Sequence, residues 1–134
     1  MPQLLADANV VVAAVVGDAD AHGPLVAGMV ADLDARGERF VVTEGVLAET
    51  AWVLAVRFGM SPVEIAGALC ALLDSAGFDS WDPPLVTRAL RVMAEEPRLD
   101  VVDALLAARD ARGDGRVVTL DRILARAVAR EHGR

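Results

Sequence analysis

The sequence predicts an α/β fold: a small parallel sheet flanked by helices, with an acidic site at the carboxyl ends of the strands. Three observations carry this. Short apolar runs alternate with stretches of helical character. Parallel strands need long crossovers, and the helical stretches supply them. Carboxylates close two of the apolar runs, where open α/β sheets have their crevice. At 134 residues the chain is the size of one domain, read as 1–134.

The elements follow in order. Leu4-Leu5-Ala6 reads as a buried strand, taken as central in the sheet, that stops at Asp7. Val10 to Val16 is β-branched, yet Ala13, Ala14 and the lack of a turn signal after Asn9 leave strand and helix both open. A helix from about Pro24 to Arg36 has Leu25, Met29, Val30 and Leu33 on one side, and Gly37 closes it. Phe40-Val41-Val42 is a second strand, and Thr43 caps a helix over 44–58 that Gly59 ends. Ser61-Pro62-Val63-Glu64 has the capping-box arrangement and opens a helix to about Ser75. A short extended piece spans Phe78 to Trp81. Asp82-Pro83 opens a helix to about Glu96, stopped by Pro97. Helix 99–112, a Gly113-Asp114-Gly115 turn, a strand 116–120 ending at Asp121, and a helix 122–132 complete the chain.

Composition narrows the chemistry. Hydrophobic residues make up 54% of the chain, which excludes disorder. The apolar runs are too broken by charge for a membrane span, and MPQLLAD lacks the basic start of a leader, so a soluble, cytoplasmic protein with no membrane partner is expected. All 13 basic residues are Arg, which removes Lys-based phosphate loops and Schiff-base chemistry. Cys70 stands alone in GALCALL and reads as a small core residue. His22 and His132 lack ligand spacing and read as surface residues, and Trp52 reads as core. Carboxylate remains, with Asp and Glu totalling 20.

Four acids stand out. Asp7 ends the first strand and reads equally as a cap or as a functional group. Glu49 falls beside Val46, Trp52 and Val53 on a largely apolar side of its helix, where solvation does not explain it. Asp103 is followed by Ala104-Leu105-Leu106-Ala107-Ala108, while Asp100, three residues earlier, suits a helix start. Asp121 precedes the last helix and reads as its cap or as a site residue. Asp110 is assigned no role. Convergent carboxylates need protons or a counter-ion, and oxygen ligands suit Mg²⁺. Metal-assisted hydrolysis of a phosphodiester follows.

Taken in order, DANVV at Asp7, VVTEGVLAETAWVL containing Glu49, and LDVVDALLAARDARGDGRVVTLDR containing Asp103 and Asp121 resemble the PIN-domain nucleases, and most closely the VapC-type toxins of toxin–antitoxin pairs. The resemblance spans nearly the whole chain. It implies a PIN-like fold and a metal-dependent endoribonuclease, a hydrolase toxin that cuts RNA. It implies that Asp7, Glu49, Asp103 and Asp121 are catalytic and hold Mg²⁺, with Mn²⁺ as a substitute. It implies a homodimer and a cognate VapB-like antitoxin that blocks the site. Asn9, Thr119 and Asp100 match polar positions near the site. Ala8 departs from the usual Thr or Ser, and little chain follows the last helix for the closing strand of many members.

The net charge of −7 contrasts with the basic footprint of an RNA binder. From Leu105 onward, however, seven Arg face four acids. Arg122, Arg126 and Arg130 form a stripe that reads as a solvated face or as a guide for a phosphate backbone. The competing reading is a catalytically inactive PIN-like scaffold that binds RNA or a protein. A metal-dependent phosphatase is disfavoured because Asn9 stands where a second Asp is wanted.

Overall fold

The computed structural model describes residues 3–134; Met1 and Pro2, the start of the segment read for a leader, lie outside the described residues. Strand β1 is Leu4–Leu5, and helix α1 runs over Ala8–Val16. The ambiguous β-branched run is thus a helix. Asp7 caps it, with the Val10 N–H donating to Asp7 Oδ1 at 3.0 Å. Ala8, Val11, Val12 and Ala13 are buried, and that packing outweighs the strand preference of the valines. A single 3-10 turn, Gly17–Ala19, leads to α2 over Gly23–Ala35.

Strand β2 is Phe40–Val41, and α3 runs over Glu44–Phe58. Thr43 caps α3, and Gly59 ends it in the left-handed conformation at φ 64°, which favours glycine. Helix α4, Pro62–Asp74, opens with the expected capping box: Glu64 N–H to Ser61 Oγ and Ser61 N–H to Glu64 Oε1. Strand β3 is Phe78–Asp79. Gly77 precedes it at φ 91°, where a Cβ would stand 2.6 Å from Val30 Cγ1, so no larger residue fits. Helices α5, Pro83–Glu95, α6, Val101–Arg112, and α7, Arg122–His132, complete the fold.

The sheet is parallel, with strands in the order β1-β2-β3 and Leu4 opposite Phe40, Phe40 opposite Phe78. The core lies between this sheet and the helices. Phe40 and Phe78 pack at 5.6 Å, and Ala104, Ala107 and Ala108 bring α6 into close contact with it. Cys70 packs partly buried against this core, and burial raises its thiol pKa, with a smaller push from Asp74.

Two expectations for the sheet are corrected. Residues 116–120 are extended but form no strand among the described residues. The Val117 N–H donates to Asp110 Oδ2 at 2.7 Å, while Val118 and Leu120 point fully into solvent. Without that fourth strand, β1 lies at the edge and β2 is central. No single described helix is long and apolar enough to cross a membrane; α1 and α2 reach that composition only together and are bent by 116°.

Candidate functional site

Several of the candidate acids stand at helix N-termini. Asp7 follows β1 and caps α1. Asp100 caps α6 through the Asp103 N–H at 2.8 Å. Asp121 caps α7, accepting from Ile123 N–H at 2.8 Å and Leu124 N–H at 3.4 Å, while its own N–H donates to Thr119 Oγ1 at 3.0 Å. Asp103 lies in the first turn of α6 and is partly buried. The capping readings of Asp7, Asp100 and Asp121 therefore hold, and capping explains their backbone role. It does not explain why so many carboxylates share one edge.

The structure brings Asp100, Asp103 and Asp121 close enough to affect one another. Asp103 is held above the ordinary carboxyl range, first by burial, then by the charge and hydrogen bonding of Asp100, and further by the charge of Asp121. No arginine relieves this. Among the described residues, none of Asp7, Glu49, Asp100, Asp103 or Asp121 has a cationic side chain within 4 Å. Arg98, the nearest candidate, is bound to both oxygens of Glu96 at 2.7 and 2.9 Å and holds that carboxyl down at about 2.

Glu49 and Trp52 depart from expectation. Helix α3 buries Leu47, Thr50, Ala51 and Leu54, so the opposite face, with Glu49, Trp52 and Val56, is exposed. Trp52 is 64% exposed rather than core. Of the apolar neighbours that drew attention to Glu49, Val46 and Val53 pack partly buried against the core, while Trp52 does not. Both side chains line a cleft of about 530 Å³ between α3, α4 and the α5–α6 junction, together with Arg98 and Asp100. Glu49 thus reaches the acid edge through Asp100. Asn9, by contrast, lines a second cavity with Asp20, His22 and Arg57, away from that cleft.

Sequence reasoning missed a second set of acids. Asp110, given no role, is buried at 8% exposure, accepts from the Val117 N–H and is hydrogen-bonded to His132. These partners hold its carboxyl below the ordinary range, the backbone bond being the larger cause. His132 is therefore tied to the fold rather than simply solvated. Glu131 is buried at 1% exposure, with Arg88 Nε at 3.0 Å, Arg91 Nη2 at 2.6 Å and Arg134 Nε at 3.5 Å. Only the pattern of Ile123, Leu124, Ala127 and Val128 pointed to it, since that inward face of α7 also includes Glu131.

The donor chemistry of the edge suits a hard cation: oxygen only, like-charged and uncompensated. The arrangement is not yet a closed site, because no three His, Cys, Asp or Glu side chains among the described residues stand close enough to share one ion.

The PIN domain family model matches residues 4–130. No curated protein and no solved structure matches the chain. PIN domains are in general nucleases, typically use divalent metals and bind RNA. With the match covering nearly the whole chain, the chain belongs to the PIN domain family.

Proposed function

We propose that this PIN domain is a metal-dependent endoribonuclease, the toxin of a VapBC-type pair, in which Asp7, Glu49, Asp103 and Asp121 hold Mg²⁺, or Mn²⁺ in its place. The observation that carries the reading is Asp103: a partly buried carboxylate with Asp100 and Asp121 as neighbours and, among the described residues, no cationic side chain within 4 Å. Excess negative charge of this kind is costly unless a proton or metal offsets it. When bound, the divalent ion would supply activation of water and stabilisation of the leaving oxygen. The chain's own groups do the rest. Asp103, fixed on α6, sets the deep wall of the site. Asp7 and Asp121 share their carboxylates between helix caps and the site. Glu49 approaches from the cleft, and Asp100 orients Asp103 through its first-turn bond.

A homodimer, a VapB-like antitoxin and action in the cytoplasm belong to the same proposal. A toxin that cuts RNA acts where RNA is translated, and an antitoxin masks the exposed acids. The inactive-scaffold reading is favoured by one observation, the lack of three converged ligands. RNA cleavage with Mg²⁺, with EDTA, and by the Asp103→Asn variant decides between the two. The nuclease reading expects cutting only by the parent with metal. Metal-independent cutting, or equal cutting by Asp103→Asn, overturns it.

A further inference from the structure

Helix α7 has two unlike faces. Leu124, Ala127 and Glu131 are buried, whereas Arg122, Arg126 and Arg130 are exposed. Spacing of four residues sets successive arginines about 6 Å apart along the axis, so the stripe covers about 12 Å. Only Arg130, in the last turn, suits its place in the helix. Like charges at this spacing repel. Arg122 stands in the first turn, the helix end that disfavours cations.

The chain does not lack acids to neutralise the stripe, with 20 carboxylates against 13 Arg. Seven of the other ten arginines use them: Arg36, Arg88, Arg91, Arg98, Arg109, Arg112 and Arg134 each hold a carboxylate within 4 Å, while among the described residues Arg39, Arg57 and Arg116 do not. Among the described residues, none of Arg122, Arg126 or Arg130 does. Glu95 and Glu96, which feel the charge of Arg130, are bound instead to Arg134 and Arg98. The stripe starts directly after Asp121, whose charge reaches Asp103. A free cationic row therefore runs outward from an anionic edge.

We infer that Arg122, Arg126 and Arg130 form a track that holds the phosphates of a single-stranded RNA on one side of the carboxylate edge. The inference rests on the ribonuclease reading and adds the path of the strand. It also reconciles a net charge of −7 with a polyanionic substrate: three arginines with, among the described residues, no carboxylate within 4 Å stand in one exposed row on α7. The three arginines are positioning residues, acting through charge and not on the scissile bond.

Binding of a labelled single-stranded RNA, followed in EDTA over a salt series, tests the track apart from cleavage. Arg122→Gln, Arg126→Gln and Arg130→Gln together should weaken binding at least about tenfold at moderate salt. The slope of log affinity against log salt should fall by about 2, at roughly 0.7 per lost contact. The corresponding triple Lys variant should keep most of that slope. On long RNA with Mg²⁺ the Gln variant should show a raised KM with little change in kcat. A dinucleotide, too short to follow the stripe, should be cut at the parent rate. If the Gln variant binds RNA with the parent's salt slope, or the parent binds no RNA, the track is wrong. If the slope falls as expected but the parent cuts nothing, the track stands and the nuclease reading fails. If the parent cuts RNA and the slope is unchanged, the nuclease reading stands and the track fails.

Discussion

Helices α6 and α7 carry two sets of acids, and the two are handled in opposite ways. At their C-terminal ends, Asp110 is bonded to His132 and the Val117 N–H, and Glu131 is surrounded by Arg88, Arg91 and Arg134. At their N-terminal ends, Asp100, Asp103 and Asp121 have backbone amides but no cationic side chain within 4 Å. One set is given side-chain partners, for Glu131 from α5 and from Arg134, and the other has, among the described residues, no cationic side chain within 4 Å. Paired carboxylates hold the fold together; unpaired ones, crowded at an edge, wait for something that is not part of the chain.

The sharpest way to break this contrast is activity. Asp7→Asn and Asp103→Asn should each lower Mg²⁺-dependent RNA cleavage by at least about a hundredfold, since a divalent ion supplies several kcal/mol to such a step. Asp110→Asn should lower cleavage only as far as it lowers the folded fraction. Specific activity measured against circular dichroism separates the two. An Asp103→Asn variant as active as the parent would remove the distinction between the sets.

Next in size is stability at the saturated end. Glu131→Ala strands Arg88 and Arg91 and should cost about 3 kcal/mol, the low end for a broken buried pair because both arginines reach water. Denaturant unfolding reads this directly. Asp103→Asn should cost nothing by the same measure.

Metal gives a comparable but opposite shift. Mg²⁺ at about a hundred times its dissociation constant should stabilise the parent by roughly 2.7 kcal/mol. Thermal melts with EDTA and with excess Mg²⁺ should differ for the parent and coincide for Asp103→Asn. Coincident melts for the parent would mean that the edge holds no ion.

The smallest effects are in pH. The carboxyl of Asp110 is depressed, so its contribution is present at neutral pH and is lost as pH falls through that lowered value. The carboxyl of Asp103 is raised, so its contribution is present in acid and lost as pH rises through that value. In metal-free buffer, Asp110→Asn should flatten the acid limb of the stability profile, and Asp103→Asn should flatten the fall toward neutral pH. Equal changes in both limbs would undo the contrast.

The sequence made one set visible and hid the other. Caps, proline positions and glycine stops located the helices, because these signals act within a few residues. Ser61 and Glu64 sit as the capping box requires, and α3 has the expected bounds. Asp7 and Asp121 drew attention because each closes an apolar run, and Asp103 because an Ala- and Leu-rich run follows it. Long-range pairing was not legible. Asp110 meets Val117 and His132 only after α6 and α7 fold back together, and Arg88 lies 43 residues before Glu131. The β-branched segment 116–120 misled for the same reason: strand preference is local, but a strand needs a neighbour. Trp52 misled because the apolar residues of α3 continue around the helix, and only packing decides which of them faces the core.

Asp7 and Asp121 each cap a helix, and both belong to the metal site proposed above. Asn caps a helix about as well as Asp, and their codons differ by a single base. A point mutation can therefore silence either carboxylate while the helix beneath it stays in place. Loss of the proposed site is then a short evolutionary step, and one that leaves an intact folded protein available for other uses.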